Sequence, residues 1–160
     1  MDLNNFTQKS IQAIQNANNE CISNGNPQVE ELHLHHALIN DDEGLIPRIV
    51  SLMGIDLSGY KREIANEIGK LPKQSGGSTY ASQDFNKIIN DAIKEANDFQ
   101  DDYVSVEHLY LALLKQKRTK SQKIFNQFGI TRDRFLQALK QVRGNQNVTT
   151  DNPEGTYEAL

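Results

Sequence analysis

Tryptophan is absent from this 160-residue chain, cysteine occurs once, at Cys21, and proline only four times. A single thiol closes no internal bridge, and none is needed, because one domain of this length buries roughly 70% of its unfolded surface. Aromatic residues make up 7% of the chain. No apolar run approaches the ~20 residues of a membrane-crossing helix. Charge of one sign is also scarce: 17 Lys and Arg against 21 Asp and Glu give a net charge of -4, an isoelectric point near 5.5 and a mean hydropathy of -0.63. That balance excludes a nucleic-acid binder driven by bulk positive charge, and membrane partners are not expected either. The opening residues Met1-Asp2-Leu3-Asn4-Asn5 lack the basic start and apolar stretch of a secretory signal, so the cytoplasm is the expected compartment.

What the chain does contain is itself, twice. Val29-Glu30-Glu31-Leu32-His33-Leu34-His35-His36-Ala37-Leu38-Ile39 lies over Val104-Ser105-Val106-Glu107-His108-Leu109-Tyr110-Leu111-Ala112-Leu113-Leu114 at an offset of 75 residues. Downstream, Gly54-Ile55-Asp56 lies over Gly129-Ile130-Thr131, and Gly69 over Gly144, places where a positive φ ends one helix and a short polar side chain caps the next. Upstream the offset reads as 79, pairing Phe6, Ala13, Ile14 and Ala17 with Phe85, Ala92, Ile93 and Ala96, the difference being absorbed near Asn24-Gly25-Asn26-Pro27.

Within each copy the period is helical. Phe85, Ile88, Ile89, Ala92, Ile93, Ala96 and Phe99 form one apolar stripe, with Ser82 as its N-cap and Asp84 at the positive end of the dipole. An all-α fold follows: eight helices near residues 3–24, 30–40, 45–53, 57–68, 82–100, 105–115, 121–128 and 132–143, in two four-helix units related by a pseudo-twofold. No stretch alternates like a strand. The expected organisation is a domain over 1–144, with repeat 1 about 1–70, a connection over 71–81 and repeat 2 about 82–144. Residues 145–160 read as a linker toward a further module, with a helical start from Glu154 to Leu160.

Few residues suggest chemistry. His33 and His36 share a helix face, but two histidines fall short of a zinc set. His33 aligns with His108, which favours one shared hydrogen bond near a helix start. Cys21, on the stripe of the first helix, is expected to be a buried small hydrophobe. Gly69-Lys70 is followed by Leu71 and preceded five residues earlier by Ile64, so no phosphate loop is present. The basic cluster Lys115, Lys117, Arg118, Lys120 and Lys123 reads as a solvated loop. Asp101, Asp102, Glu107 and Thr7 sit near helix starts with no oxyanion loop beside them, so no catalytic residue is assigned.

Two copies of Val-x-x-Glu/Leu-His-Leu-x-x-Ala-Leu, each followed by Gly-Ile-Asp/Thr, resemble the Clp amino-terminal double repeat. Leu71-Pro72-Lys73, Ser82-Gln83-Asp84, Asp102-Tyr103-Val104-Ser105-Val106-Glu107-His108-Leu109 and Asn152-Pro153-Glu154 are similar to the disaggregase members of that family, over essentially the whole chain. The resemblance implies a substrate-engaging domain without enzymatic activity or cofactor of its own. It would be joined to AAA+ modules that use ATP and magnesium in a hexamer. It also implies unfolded or aggregated polypeptides and an Hsp70-type system as partners, and an isolated domain that is a monomer. Matched to the family's motifs, Thr7, Asp101 and Glu107 are the polypeptide-binding polar residues, and Ile89 belongs to a neighbouring apolar groove. Asp91 and Glu95 stand where relatives carry leucine, which would weaken or shift that groove. Alanine at Asp101 or Glu107 is expected to spare the fold. Two other readings remain: an adaptor-docking domain of an unfoldase that feeds a protease, and a small metal-binding or catalytic helical protein using His33, His36 and Cys21.

Overall fold

Apolar residues at helical spacing, most runs opened by a polar cap, produce eight helices in the computed structural model, which describes residues 3–144 and 146–154. They are α1 Gln8–Ser23, α2 Glu31–Ile39, α3 Leu45–Leu52, α4 Leu57–Gly69, α5 Gln83–Asp98, α6 Val106–Lys115, α7 Lys120–Phe128 and α8 Arg132–Arg143. Thr7, Ser82, Thr119 and Thr131 accept the N–H three residues ahead at the starts of α1, α5, α7 and α8. In α2 and α6 the repeat histidines perform the reciprocal half of a capping box. His33 Nδ1 accepts the Glu30 N–H and His108 Nδ1 the Ser105 N–H, both at 2.9 Å. That is the shared structural role expected of the pair.

The duplication is more regular than the sequence alignment indicates. Thr7 and Ser82 occupy the same cap position, and α1 and α5 begin at Gln8 and Gln83 and are both 16 residues long. The offset is therefore 75 throughout, not 79 upstream, and the Asn24–Pro27 loop absorbs no insertion. Gly25 at φ +70° has its mate in Gln100 at φ +60°, so the same left-handed turn closes both helices. Alanine and isoleucine recur every three or four residues along such a stripe, so sliding it by one turn still matches like with like.

Four further expectations are corrected. The first helix starts at Gln8 rather than near residue 3, because Phe6 pairs with Val104 in a parallel bridge and Thr7 then caps. Two short parallel strands exist, β1 Gln28–Val29 and β2 Tyr80–Ala81, the counterpart of that bridge and too short to alternate visibly. Gly69 takes no positive φ, since α4 runs through it to Lys70 at φ -89°, whereas Gly54, Gly129 and Gly144 do take one. Ile93, counted on the α5 stripe, is 37% exposed.

Helices α2 and α6 are the centre of the molecule, with Leu32, Leu34, Leu109, Leu111 and Ala112 wholly buried. Cys21 is buried as expected, its thiol facing the Asn26 carbonyl at 3.2 Å. The connection over 72–78 is exposed, but Leu71 before it is buried. The described part of the tail touches the body at intervals: Val148 is fully buried, and Gln8 N–H donates to the Asp151 carbonyl at 2.8 Å. The helical start expected from Glu154 to Leu160 lies mostly outside the described residues.

A buried polar chain crosses the two repeats. His35 Nδ1 meets Ser121 Oγ at 2.8 Å, Ser121 donates to Glu31, His35 Nε2 meets the Tyr60 hydroxyl, and Tyr60 meets Tyr110 at 2.7 Å. With Glu31 ionised, one proton arrangement satisfies every member: Tyr110 to Tyr60 to His35 Nε2, and His35 Nδ1–H to Ser121 to Glu31. Burial pushes His35 down to about 3, and burial pushes Glu31 up to about 7. His35 therefore contributes full stability above pH 6.5 and loses it as pH falls toward 3, about 1.4 kcal/mol per pH unit. Glu31 has the opposite slope, its contribution falling as pH rises from 4.5 to 7. Between roughly pH 4.5 and 6.5 the two offset, and below that window acid destabilises the fold. The imidazole nitrogen shifts of His35 should stay constant down to about pH 4; a midpoint near the free value of about 6.5 contradicts this account.

Candidate functional site

The loop leading into α6 and the cap of α1 gather three of the four residues expected to bind polypeptide. Asp101 precedes the α6 cap by four residues, and its carboxylate accepts from Arg143, from Val148 N–H at 3.0 Å and from His108 Nε2 at 2.8 Å. Burial pushes the Asp101 carboxyl up, but the hydrogen bonds from His108, Arg143 and Val148 outweigh it and hold it below the usual range. Glu107, in the first turn of α6, accepts from Ser105 and faces Arg143 Nη1 at 3.5 Å. Arg143, the last residue of α8, lies over the Phe99 ring at 5.2 Å and is 5% exposed. One guanidinium thus joins two carboxylates in the interior.

Thr7 belongs to the same corner. Its hydroxyl caps α1 and donates to Glu154 Oε2 at 2.8 Å, and the Val106 N–H reaches the same oxygen at 3.3 Å. Glu154 therefore sits on the positive end of α6. Burial first, then the charge of Glu107, pushes it up to about 7. Its other oxygen, Oε1, is buried without a hydrogen-bond partner among the described residues. Ile89 is not part of this cluster; it is buried on α5 in the apolar core. Thr7, Asp101 and Glu107 are themselves fully or nearly buried, at 0%, 7% and 0% exposure.

Open space adjoins the cluster on its α1 side. A cavity of about 490 Å³ lies among α1, α2, α3 and the start of α6, floored by Ala13, Ala37, Leu38, Leu45, Ile46 and Val106. Its polar lining includes Lys9, Glu20, His36, Asp41 and Glu154. Lys9 pairs with Asp41 at 3.3 Å and His36 with Glu20 at 2.7 Å, both pairs part-exposed. The corresponding place in repeat 2 carries a bulkier side chain and paired polar ones. Ile88, wholly buried, stands where the first repeat has Ala13. Asp91 and Gln116, mates of Asn16 and Asp41, close on each other at 2.7 Å. Arg132 holds Glu95 through two bonds of 2.8 Å. The acids expected to weaken the groove of the second repeat are internally paired, and the cavity belongs to the first repeat. A smaller cavity of about 400 Å³ lies beside α8 and includes Phe99, Leu136, Leu139 and Arg143.

Sequence reasoning missed Arg143, Glu154 and the buried Glu31. In sequence Arg143 is an ordinary cation in a last helical turn, and Glu154 reads only as the start of a helical segment. The tempting histidines are separated by function: His33 Nε2 faces Asn26 at 2.9 Å, His35 is in the buried chain, and His36 pairs with Glu20. No group of three or more His, Cys, Asp or Glu side chains that could hold a metal occurs among the described residues. Nor is any helix among them long and apolar enough to cross a membrane.

The family model described as the Clp repeat (R) N-terminal domain matches residues 5–128. The chaperone protein ClpB of Clostridium tetani is 40% identical over 165 aligned residues, covering 100% of this chain and 19% of that protein. ClpB of Bacillus anthracis is 41% identical with the same coverage. The chain thus spans about a fifth of the length of these relatives. Among solved structures, the Hsp104 N-terminal domain from Candida albicans superposes with a TM-score of 0.84 at 23% identity, covering 94% of this chain and 99% of that one. A ClpV N-domain in complex with a VipB peptide superposes with a TM-score of 0.71 at 15% identity, over 88% of this chain and 90% of that one. These two establish the likeness of fold.

Proposed function

The chain belongs to the Clp repeat N-terminal domain family, and on that premise we propose that it engages unfolded or aggregated polypeptide as the amino-terminal part of a ClpB-type disaggregase. ATP and magnesium would be used by AAA+ modules in the remainder of the protein, assembled as a cytoplasmic hexamer and supplied by an Hsp70-type system. The domain itself would act as a monomeric, non-enzymatic binding module, residues 1–144 forming the body and the segment from 145 leading toward the next module.

The observation that carries this reading is the cavity of the first repeat, an apolar floor with a polar rim open to solvent. Unfolded chains offer apolar side chains and unpaired backbone groups, which such a surface holds without strict sequence preference. Thr7, Asp101 and Glu107 act as positioning residues at its edge. Thr7 orients Glu154, while Asp101 and Glu107 fix the start of α6, from which Val106 lines the cavity. Ile89 supports them from the core side of α5. Weak contacts suffice, because tethering several copies in one assembly raises the effective concentration.

Fluorescence anisotropy with a permanently unfolded, reduced and carboxymethylated protein tests the proposal. Saturable binding is expected, with none to the same protein in its folded state. Equal binding to both forms, or none to the unfolded form at high concentration, overturns it.

A further inference from the structure

We propose that the cavity among α1, α2 and α3 takes one lysine or arginine side chain of an extended polypeptide, with its stem on the apolar floor and its charged end on Glu154 Oε1. This specifies the ligand of the site proposed above and rests on that reading. Three observations carry it. Glu154 is 3% exposed and lines the cavity, and its Oε2 is already engaged by Thr7 and Val106. Among the described residues its Oε1 is buried without a hydrogen-bond partner, an arrangement that folded proteins rarely leave uncompensated, so an incoming donor restores a hydrogen bond to an oxygen already removed from water. The rim carries the carboxylates Glu20, Asp41 and Glu154 against Lys9 and His36, an excess of acid that selects a cation and repels an anion.

The chemistry of the floor narrows the choice further. Ala13, Ala37, Leu38 and Ile46 offer apolar surface leading to the carboxylate, which matches the aliphatic stem and charged end of lysine or arginine. A purely apolar side chain would leave Oε1 unpaired. A charge-assisted bond to it is stronger than a neutral one, so discrimination between a cation and its neutral isostere is expected.

The proton balance gives a second readout. Groups facing Glu154 or its cavity are Lys9 and Glu20 on α1, His36 on α2, Asp41 after α2, and Glu107 on α6, with Arg143 on α8 acting through Glu107. Burial and Glu107 raise Glu154 to about 7, so a bound cation displaces its proton and affinity rises from pH 6 to 8. Glu154→Gln removes that dependence while His36 remains.

The test uses the whole chain and a fluorescein-labelled peptide of leucine, alanine and serine carrying one central arginine, against the same peptide with citrulline. The arginine peptide is expected to bind about tenfold more tightly, and Glu154→Gln to bring the two within about twofold. Ala13→Ile, which installs the residue of the second repeat and fills the floor, is expected to abolish binding of both peptides even if the glutamine variant perturbs the tail. Equal binding of the two peptides overturns this inference and leaves the polypeptide-binding reading standing. So does unfolded-protein binding unaffected by Ala13→Ile. Failure of the peptides and of the unfolded protein alike overturns both.

Discussion

Asp101→Ala is expected to cost about 3–5 kcal/mol of unfolding free energy, measured by urea denaturation, because it removes one of the carboxylates that pair with the buried Arg143. The carboxylate serves three donors at once: the Arg143 guanidinium, the His108 ring and the Val148 backbone. For contrast, Lys61 and Asp42 form a pair in which Asp42 is 85% exposed, and such a pair contributes about 0–1 kcal/mol. The repeat supplies an internal control. Asn26 occupies the position of Asp101 in the first copy and holds His33 in the same way at 2.9 Å, with no guanidinium to neutralise. Asp101→Asn should therefore retain the histidine bond, lose the charge pairing and fall between wild type and alanine. The expectation from family resemblance, that alanine here spares the fold, is replaced by this one. A loss below about 1 kcal/mol for the alanine variant would mean that the Arg143 cluster contributes little.

Tyr110→Ala is expected to cost a further class of energy, about 3–5 kcal/mol, as an aromatic truncation in a fully buried site. The ring stacks on Phe135 at 4.6 Å and meets Phe125 edge-on at 5.5 Å. Its hydroxyl bonds to Tyr60 at 2.7 Å. One side chain on α6 thus ties α4 of the first repeat to α7 and α8 of the second, and its removal opens a cavity between them. Tyr110→Phe separates packing from hydrogen bonding, and about 1 kcal/mol is expected for that change alone. If the alanine variant unfolds with the urea midpoint of the wild type, the repeats do not share one core.

Much of this was legible in the residues because the signals are local. The stripe from Phe85 to Ala96 repeats at one-turn spacing, and the caps at Ser82 and Thr131 and the matched His33 and His108 each act within one turn of helix. Pairing across the fold was not legible. Arg143 meets Asp101 and Glu107 from 42 and 36 residues away, and Thr7 meets Glu154 from 147 away. Nothing in the spacing signals such partnerships. The register of α1 against α5 was misread for a related reason: a periodic stripe matches itself when shifted by one turn, and only the cap and the left-handed turn at Gly25 and Gln100 fix it.

That register decides where the open space lies. Ala13 against Ile88, and Asn16 and Asp41 against Asp91 and Gln116, make the first repeat open and the second closed. Near-identical helical scaffolds thus differ in open space by the volume of one side chain and the pairing of two more.

An amide NMR titration of the whole chain with a permanently unfolded model protein tests the central claim most directly. Shifts concentrated at Ala13, Ala37, Ile46 and Val106, with smaller ones at Thr7 and Glu107, are the expected result. Shifts confined to the second repeat around α5 and α8, or none at high concentration, would contradict it.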